Sequence, residues 1–316
     1  PTESERRDRM KKHMKRHAWN ILFAAVLVSF TAYVALDTFV ITHVYQNVDT
    51  GTGTTTSEAQ AATLRSSDTS SQTATVTDDS YSDGSVSIKI TTDRVDDTTV
   101  YAADVTLSST DYLKTAFAQN AYGQNLTETT SDIASDNNAV LAINGDYYGA
   151  QRSGYVLRNG TLYRDTVKEE QEDLVIGTDG SFQIISESDI SASELLEDGA
   201  AQILSFGPGL VEDGEIAVTE NEEVGKAKAS NPRTAVGIID DLHYVFVVSD
   251  GRTDESTGLT LYQLAEYMQG LGVETAYNLD GGGSSTMYFN GNVMNNPTTG
   301  GNRVSERKVS DIVYIG

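Results

Sequence analysis

Residues 278–287 read NLDGGGSSTM, which puts one acid, three successive glycines and two hydroxyls in a single short run. Glycine tolerates positive φ and lets a ligand come close to the backbone, so Gly281, Gly282 and Gly283 can present N–H groups beside the hydroxyls of Ser284 and Ser285. Asp280 adds a negative oxygen. This grouping suits a polar or anionic ligand held next to an acid, and its plain structural reading is a tight turn leaving a strand. Related punctuation occurs elsewhere. Asn144-Gly145-Asp146 closes the apolar run 139–143, Asp250-Gly251 follows the run 244–249, and Arg233 stands just before 234–239. Taken singly, Asp146 and Asp250 read as turn residues making Asx-type bonds, and Arg233 as a surface charge. Several acids, an arginine and a Gly-Gly-Gly run at one sheet edge would instead be a binding site.

The elements that must gather these residues are legible from periodicity. Alternation over 86–90 and 100–107 predicts half-buried strands, and 112–117 reads as a short amphipathic helix. Two alternating segments flank Asn159-Gly160, which predicts a hairpin over 154–164. A second hairpin is expected from 234–239 and 244–249 around Asp240-Asp241, setting Arg233 opposite 248–250. Thr260 and Gln263 form a capping box for a helix whose apolar face is Leu261, Leu264, Ala265, Met268 and Leu271, with Gly270 and Gly272 at its end. The apolar segment 273–279 then runs into Asp280. A crossover helix between neighbouring strands of one sheet makes those strands parallel, so Asp250 and Asp280 should leave the same edge and face one crevice. Asn144 and Asp146 reach it as well if 139–143 runs parallel. The fold class expected is α+β: a mixed β-sheet core with a strand-helix-strand crossover near the C-terminus, preceded by a single transmembrane helix and a disordered linker.

The chain of 316 residues has 22 basic and 46 acidic side chains. Residues 1–18 hold seven of the basic and three of the acidic ones, which leaves 15 basic against 43 acidic in the rest. So acidic a body excludes nucleic acid and anionic membrane surfaces as its partners, because phosphate binding relies on clustered Lys and Arg. Residues 18–36 carry no charge and are long enough to cross most of a bilayer as a helix. Basic residues precede this run and acidic ones follow it, which places the N-terminus in the cytoplasm and the body outside the cell. No small-x-small pattern closes the run, favouring an uncleaved anchor over a cleaved signal peptide. The organisation expected is a cytoplasmic basic tail over 1–18, a transmembrane anchor over 19–45, a Ser/Thr-rich linker over 46–84 and a catalytic domain over 85–316. Without cysteine there are no disulfides and no thiolate metal sites.

The segments AINGDYYG (142–149), LSFGPGLVEDGE (204–215), NPRTAVGI (231–238), DGR (250–252), LTLYQLAEYMQGLGVETAYNLDGGGSSTM (259–287) and ERKVSDIVYI (306–315) resemble the phosphodiester glycosidase family, in its bacterial exopolysaccharide-biosynthesis type. The resemblance runs from about 139 to 316. It implies hydrolysis of a sugar-1-phosphodiester at the bond between anomeric carbon and oxygen, in a cell-surface phosphoglycan or exopolysaccharide, with no cofactor required. Such a leaving group departs as a weakly basic anion and needs charge neutralisation more than a strong acid. On this reading Asp280 is the leading carboxylate, attacking the anomeric carbon or activating water, and Asp250 and Asp146 are second-carboxylate candidates. Arg233 is the phosphate clamp, with Arg252 and Arg307 as weaker phosphate contacts. Asn144 and Asn278 orient sugar hydroxyls, while Gly281, Gly282, Gly283, Ser284 and Ser285 donate from amides and hydroxyls.

Two readings compete. Asp146, Asp250 and Asp280 are hard oxygen ligands that suit a divalent cation, Ca or Mg, in a metal-dependent phosphodiesterase attacking phosphorus. No histidine pair supports it, since only His13, His17, His43 and His243 occur. The other is a glycan-binding wall module without catalysis. Serine hydrolase chemistry is disfavoured because Ser284 and Ser285 lack a G-x-S-x-G frame.

Overall fold

A computed structural model describes residues 2–48, 74–221, 230–299 and 303–316. Of the linker expected over 46–84, residues 49–73 lie outside the described residues, and its last part is not linker, because 75–76 and 80–82 are paired strands at the edge of the largest sheet. The chain divides into two compact units, 1–43 and 44–316.

The first unit is the helix Glu3–Phe39. Its start is fixed by the Glu5 carboxylate, which accepts the Thr2 N–H at 3.0 Å. Within it, His17–Phe39 has a mean hydropathy of 1.9 and none of it is buried, so it is long and apolar enough to cross a membrane. Trp19, Ile21, Phe23, Val28 and Phe30 are all exposed.

The second unit is α+β, as the sequence predicts. Its largest sheet has nine strands, in the order 215–216, 209–212, 275–278, 234–240, 243–249, 98–107, 86–95, 80–82 and 75–76. A five-stranded sheet orders 292–293, 287–289, 141–144, 311–315 and 113–117, and a third sheet orders 161–166, 154–158, 200–204, 172–177 and 182–186. Alternation decides how these layers stack. Leu141, Ile143, Val313 and Ile315 point inward against Ile88, Val236, Phe246 and Tyr277 of the large sheet. The intervening Ala142, Ile312 and Tyr314 face the other way, against Ile133 and Ala134 of the helix Thr130–Asp136. On the far face of the large sheet lies the helix Leu261–Gly270, where Leu261, Leu264, Ala265 and Met268 are buried against Ala235, Val245, Val247 and Ala276. Fully burying one such large side chain contributes about 1.5–3 kcal/mol, so this seam is what holds the crossover in place.

The capping box forms as expected: Thr260 Oγ accepts from Gln263 N at 3.1 Å, and Gln263 Oε1 accepts from Thr260 N at 2.9 Å. Both hairpins are present. Asn159 and Gly160 take φ of 49° and 75°, the left-handed pair that a two-residue turn requires.

Two further expectations are corrected. Residues 112–117 are not a helix, because Leu113–Phe117 is a strand paired with Asp311–Ile315. Its Leu113, Thr115 and Phe117 are buried alternately, a period of two that a helical reading of five residues overlooks. The strands before and after the crossover helix are also not neighbours. Thr234–Asp240 lies between His243–Ser249 and Thr275–Asn278 and is antiparallel to both. The outer two therefore still run in one direction, and Asp250 and Asp280 do leave the same edge. Every ladder in these three sheets is antiparallel, and the isolated bridge of Thr298 with Ser305 is parallel.

Candidate active site

Three pieces of backbone converge on Asp280. The strand Thr275–Asn278 delivers it, and the antiparallel Thr234–Asp240 sets Arg233 alongside, since Leu279 N donates to Thr234 O at 2.9 Å and Ser249 N to Arg233 O at 2.9 Å. The third piece comes from the second sheet. Leu141–Asn144 runs antiparallel to its neighbours there, rather than parallel in the large sheet, and ends at Gly145, whose carbonyl accepts Asp280 N at 3.3 Å.

Asp280 stands where two small cavities meet. One, of about 170 Å³, is lined by Phe206, Asn231, Arg233, Arg252, Gly281 and Arg307. The other, of about 160 Å³, is lined by Asn125, Thr127, Asp146, Tyr147, Ser284 and Lys308. Asp280 and Arg307 line both. Ser284 Oγ donates to Asp280 Oδ2 at 2.6 Å. Desolvation raises the Asp280 pKa, against the opposing effects of the Ser284 bond, Arg307 and the Gly281 N–H, while Asp146 pushes it up further.

The arginines are placed by glycine. Gly282 has φ of 63°, and a Cβ there would come within 2.6 Å of Arg252 Nη2 and 3.3 Å of Arg307 Nη2. Arg307 Nη2 donates to Gly281 O at 3.1 Å, and Arg252 Nη2 to Asn231 Oδ1 at 3.0 Å. Neither makes an ion pair with a carboxylate among the described residues. Burial first, and then Arg307, lowers the Arg252 pKa, the mark of like charges held together. Arg233 is 3% exposed and its Nε donates to Leu259 O at 2.9 Å.

Other expected residues are placed differently. Asp250 lines neither cavity: it is 4% exposed, accepts from Asn296 N at 2.8 Å, and faces the side-chain amides of Asn295 and Asn296 at 3.4 Å. Its pKa is raised by burial, against those three donors. Asn144 is fully buried and lines neither cavity. Its Nδ2 donates to Asp280 O at 2.6 Å, and its Oδ1 accepts from Thr234 Oγ1 at 2.8 Å and Thr286 N at 3.3 Å. Asn278 is 1% exposed, with Nδ2 on Gly207 O at 2.7 Å and a buried Oδ1 that has no partner. The glycine run also offers fewer free amides than its composition promises. Gly282 N bonds Pro232 O, Ser284 N bonds Gly281 O and Ser285 N bonds Gly282 O. Ser285 Oγ is buried without a partner.

Asp146 does reach the cavity wall, anchored from behind. Its Oδ1 accepts from Tyr148 N at 2.9 Å, and its Oδ2 from Ser205 N at 2.9 Å and Arg158 Nη2 at 2.7 Å. Arg158 and Asp311, which join it there, are absent from the sequence-based set. The available signal was an arginine closing an otherwise apolar strand, GYVLR, just before the Asn159-Gly160 turn.

The acids named for a cation do not fit one. Asp250 is spent on the 295–296 loop and Asp146 on a guanidinium. Among the described residues, no three His, Cys, Asp or Glu side chains are grouped to hold a metal ion.

An acid and several arginines thus lie together at one sheet edge of an α+β sandwich. The family model for phosphodiester glycosidase matches residues 137–316, and the chain belongs to that family. It is 29% identical over 199 residues to the SPbeta prophage-derived uncharacterized protein YomE of Bacillus subtilis, a match covering 61% of this chain and 30% of the relative. Over 187 residues it is 28% identical to mouse N-acetylglucosamine-1-phosphodiester alpha-N-acetylglucosaminidase, covering 54% of this chain and 35% of that protein. The match spans about a third of the length of each of these relatives. Among solved structures, the catalytic domain of the zebrafish enzyme of that name, auto-inhibited by its pro-peptide, shares the fold with a TM-score of 0.58 at 24% identity, over 73% of this chain and 82% of that one. A hypothetical protein from Synechocystis gives 0.51 at 14% identity, over 73% and 62%.

Proposed function

We propose that this protein is a hydrolase that cleaves the glycosidic C–O bond of a sugar-1-phosphodiester. Family membership supports the reaction class, and the observation that carries it to these residues is the pair of cavities meeting at Asp280. The phosphate occupies the side lined by Arg233, Arg252 and Arg307, and the sugar the side lined by Asp146, Tyr147 and Asn125. Guanidinium forks take up the charge that grows on the departing phosphate oxygen, where bonds strengthened in the transition state lower the barrier most.

Asp280 takes the proton of an attacking water. Its desolvated carboxylate holds a proton more readily than a solvated one, which suits this task. The water oxygen bonds to the anomeric carbon, the bond from that carbon to the bridging oxygen breaks, and the phosphate monoester leaves with the electron pair. Asp146 lends negative charge to the oxocarbenium-like state. Ser284 orients Asp280, and Asn144 and Asn278 brace the strand end instead of touching sugar. Asp250 is a loop anchor. The body lies outside the cell, joined to the N-terminal anchor helix through the Ser/Thr-rich segment ahead of the strand 75–76, with the basic tail in the cytoplasm. Its substrate is then a cell-surface or exopolysaccharide phosphoglycan.

The test uses the 316-residue chain in detergent with a panel of sugar-1-phosphodiesters in ¹⁸O-labelled water. Free sugar carrying the label, released with inverted anomeric configuration, is the expected result. Label on phosphate would overturn the reading in favour of attack at phosphorus.

A further inference from the structure

We propose that Arg158 is the positioning residue of this site, fixing both cavity acids from behind along two separate arms. The inference rests on the hydrolase reading above and names a residue which that reading does not use. Arg158 ends the wholly buried strand Gly154–Arg158 of the third sheet and is itself 2% exposed. All five of its N–H donors are engaged. Nη1 donates to Leu157 O and Ile203 O, Nε to Asp311 Oδ2 at 3.1 Å, and Nη2 to both Asp311 Oδ2 at 2.8 Å and Asp146 Oδ2 at 2.7 Å. The guanidinium also lies 5.8 Å from the Tyr148 ring centroid and 6.0 Å from that of Phe117. A fork saturated in this way has one orientation.

The first arm is direct, because the Arg158 bond sets the Asp146 carboxylate in the cavity wall. The second passes through Asp311. That side chain is wedged under Gly145, where an added Cβ would come within 2.4 Å of Asp311 Oδ1. Gly145 N donates to Asp311 O at 2.9 Å, and Gly145 O receives the Asp280 N–H at 3.3 Å. Moving Asp311 therefore moves the peptide that locates Asp280. Two carboxylates on one guanidinium leave an excess negative charge. The Asp311 pKa is pushed up to about 8, by burial first and by Asp146 second, with Arg158 opposing and Asp280 adding to the rise. The cluster thus holds a proton more readily than two solvated carboxylates would. Above about pH 8 its loss adds negative charge behind a cavity that must receive an anion.

Arg158 also lines a separate cavity of about 400 Å³, with Phe117 and Tyr163, which gives small solutes a route to its position. The variants to compare are Arg158→Lys, Arg158→Ala and Asp311→Asn, each checked for cooperative melting. A lysine keeps the charge and loses the fork. Arg158→Lys should lower kcat by about 100-fold, the scale of an ångström misplacement, with KM within about threefold. Added guanidinium ion should restore part of the Arg158→Ala activity. In the wild type KM should rise above about pH 8, and Asp311→Asn should remove that rise. Crystal structures of Arg158→Lys and Asp311→Asn give a readout independent of turnover, with Asp146 and Asp280 displaced in the first and Asp280 alone in the second. Folded variants with unmoved acids, or unchanged kcat and pH profile, overturn the proposal. Should wild type cleave no sugar-1-phosphodiester, the hydrolase reading fails and the displacements alone decide the role of Arg158.

Discussion

Asp250 and Asp280 look alike in sequence and differ in the folded chain. Each ends a strand, each precedes glycine, and both leave one edge of the same sheet on either side of Thr234–Asp240. Yet Asp250 spends its carboxylate on Asn295 and Asn296, whereas Asp280 keeps a single side-chain hydroxyl partner and opens onto two cavities with Arg307 beside it. Burial raises the pKa of both. What separates them is which neighbours face the oxygens: amides that lock a loop for one, guanidinium groups around empty space for the other. On the hydrolase reading, this difference in neighbours is what fits Asp280 rather than Asp250 to be the reaction centre.

The largest effect expected tests this contrast head on. Asp280→Asn should lower kcat by about 10³-fold, the range for losing a general base, with the melting temperature little changed or raised. Asp250→Asn should leave kcat within about threefold and cost about 1–3 kcal/mol of stability, through weaker acceptance from the 295–296 loop. Steady-state kinetics and thermal melts of the pair check both halves. Equal losses of kcat would erase the distinction.

Next in size are the arginines that line the cavities at Asp280. Removing one donor to a developing charge costs about 10²-fold, so Arg307→Met, touching both cavities, should lower kcat/KM by that order. Arg252→Met should cost less in kcat than in KM, since Arg252 lines only the phosphate side. Progress curves across substrate concentration separate the two parameters.

How much of this was legible in the sequence follows from which contacts are local. Hairpin turns at Asn159-Gly160 and Asp240-Asp241, the Thr260 cap and the shared direction of the strands before Asp250 and Asp280 all depend on residues near each other in the chain. They were readable. The strand inserted between those two depends on a pairing with 275–278 across about 40 residues, and the arrival of Asn144 and Asp146 from a different sheet on pairings across more than a hundred, which alternation does not encode. Arg158 is illegible for the same reason, since nothing local shows that GYVLR is buried on both faces. Composition presents Asn144, Asn278 and the Gly281–Gly283 run as ligand donors because it shows which groups exist, not whether backbone already uses them. Gly282 is needed for the approach of Arg252 and Arg307 at least as much as for any amide.

A third prediction treats the buried acids together. Asp250, Asp280, Asp173 and Asp311 all have raised pKa values in the folded chain, with burial the largest cause in each. Between the unfolded value near 4 and the folded values, the native state binds more protons than the unfolded one, so stability falls as pH rises through that window. For Asp311 the window runs from about pH 4 to about 8. The midpoint of thermal unfolding should decline across this range, and Asp311→Asn should flatten the decline. A midpoint that climbs from pH 5 to 8 would contradict the assignment.

The smallest effect sharpens the contrast at Asp280 itself. Ser284→Ala removes the 2.6 Å hydroxyl bond to Oδ2 without changing the backbone turn, because Ser284 N and Ser285 N are held by Gly281 O and Gly282 O. A hydrogen bond to a charged group contributes about 1.5–3 kcal/mol, and only part of that changes between ground and transition states. The variant should therefore keep measurable turnover, with kcat lower by roughly tenfold. Its acidic limb should move to higher pH, since that bond holds the Asp280 pKa down. If Ser284 were instead a nucleophile, turnover would vanish with no shift to observe, and the pH–rate profile of the residual activity decides between the two.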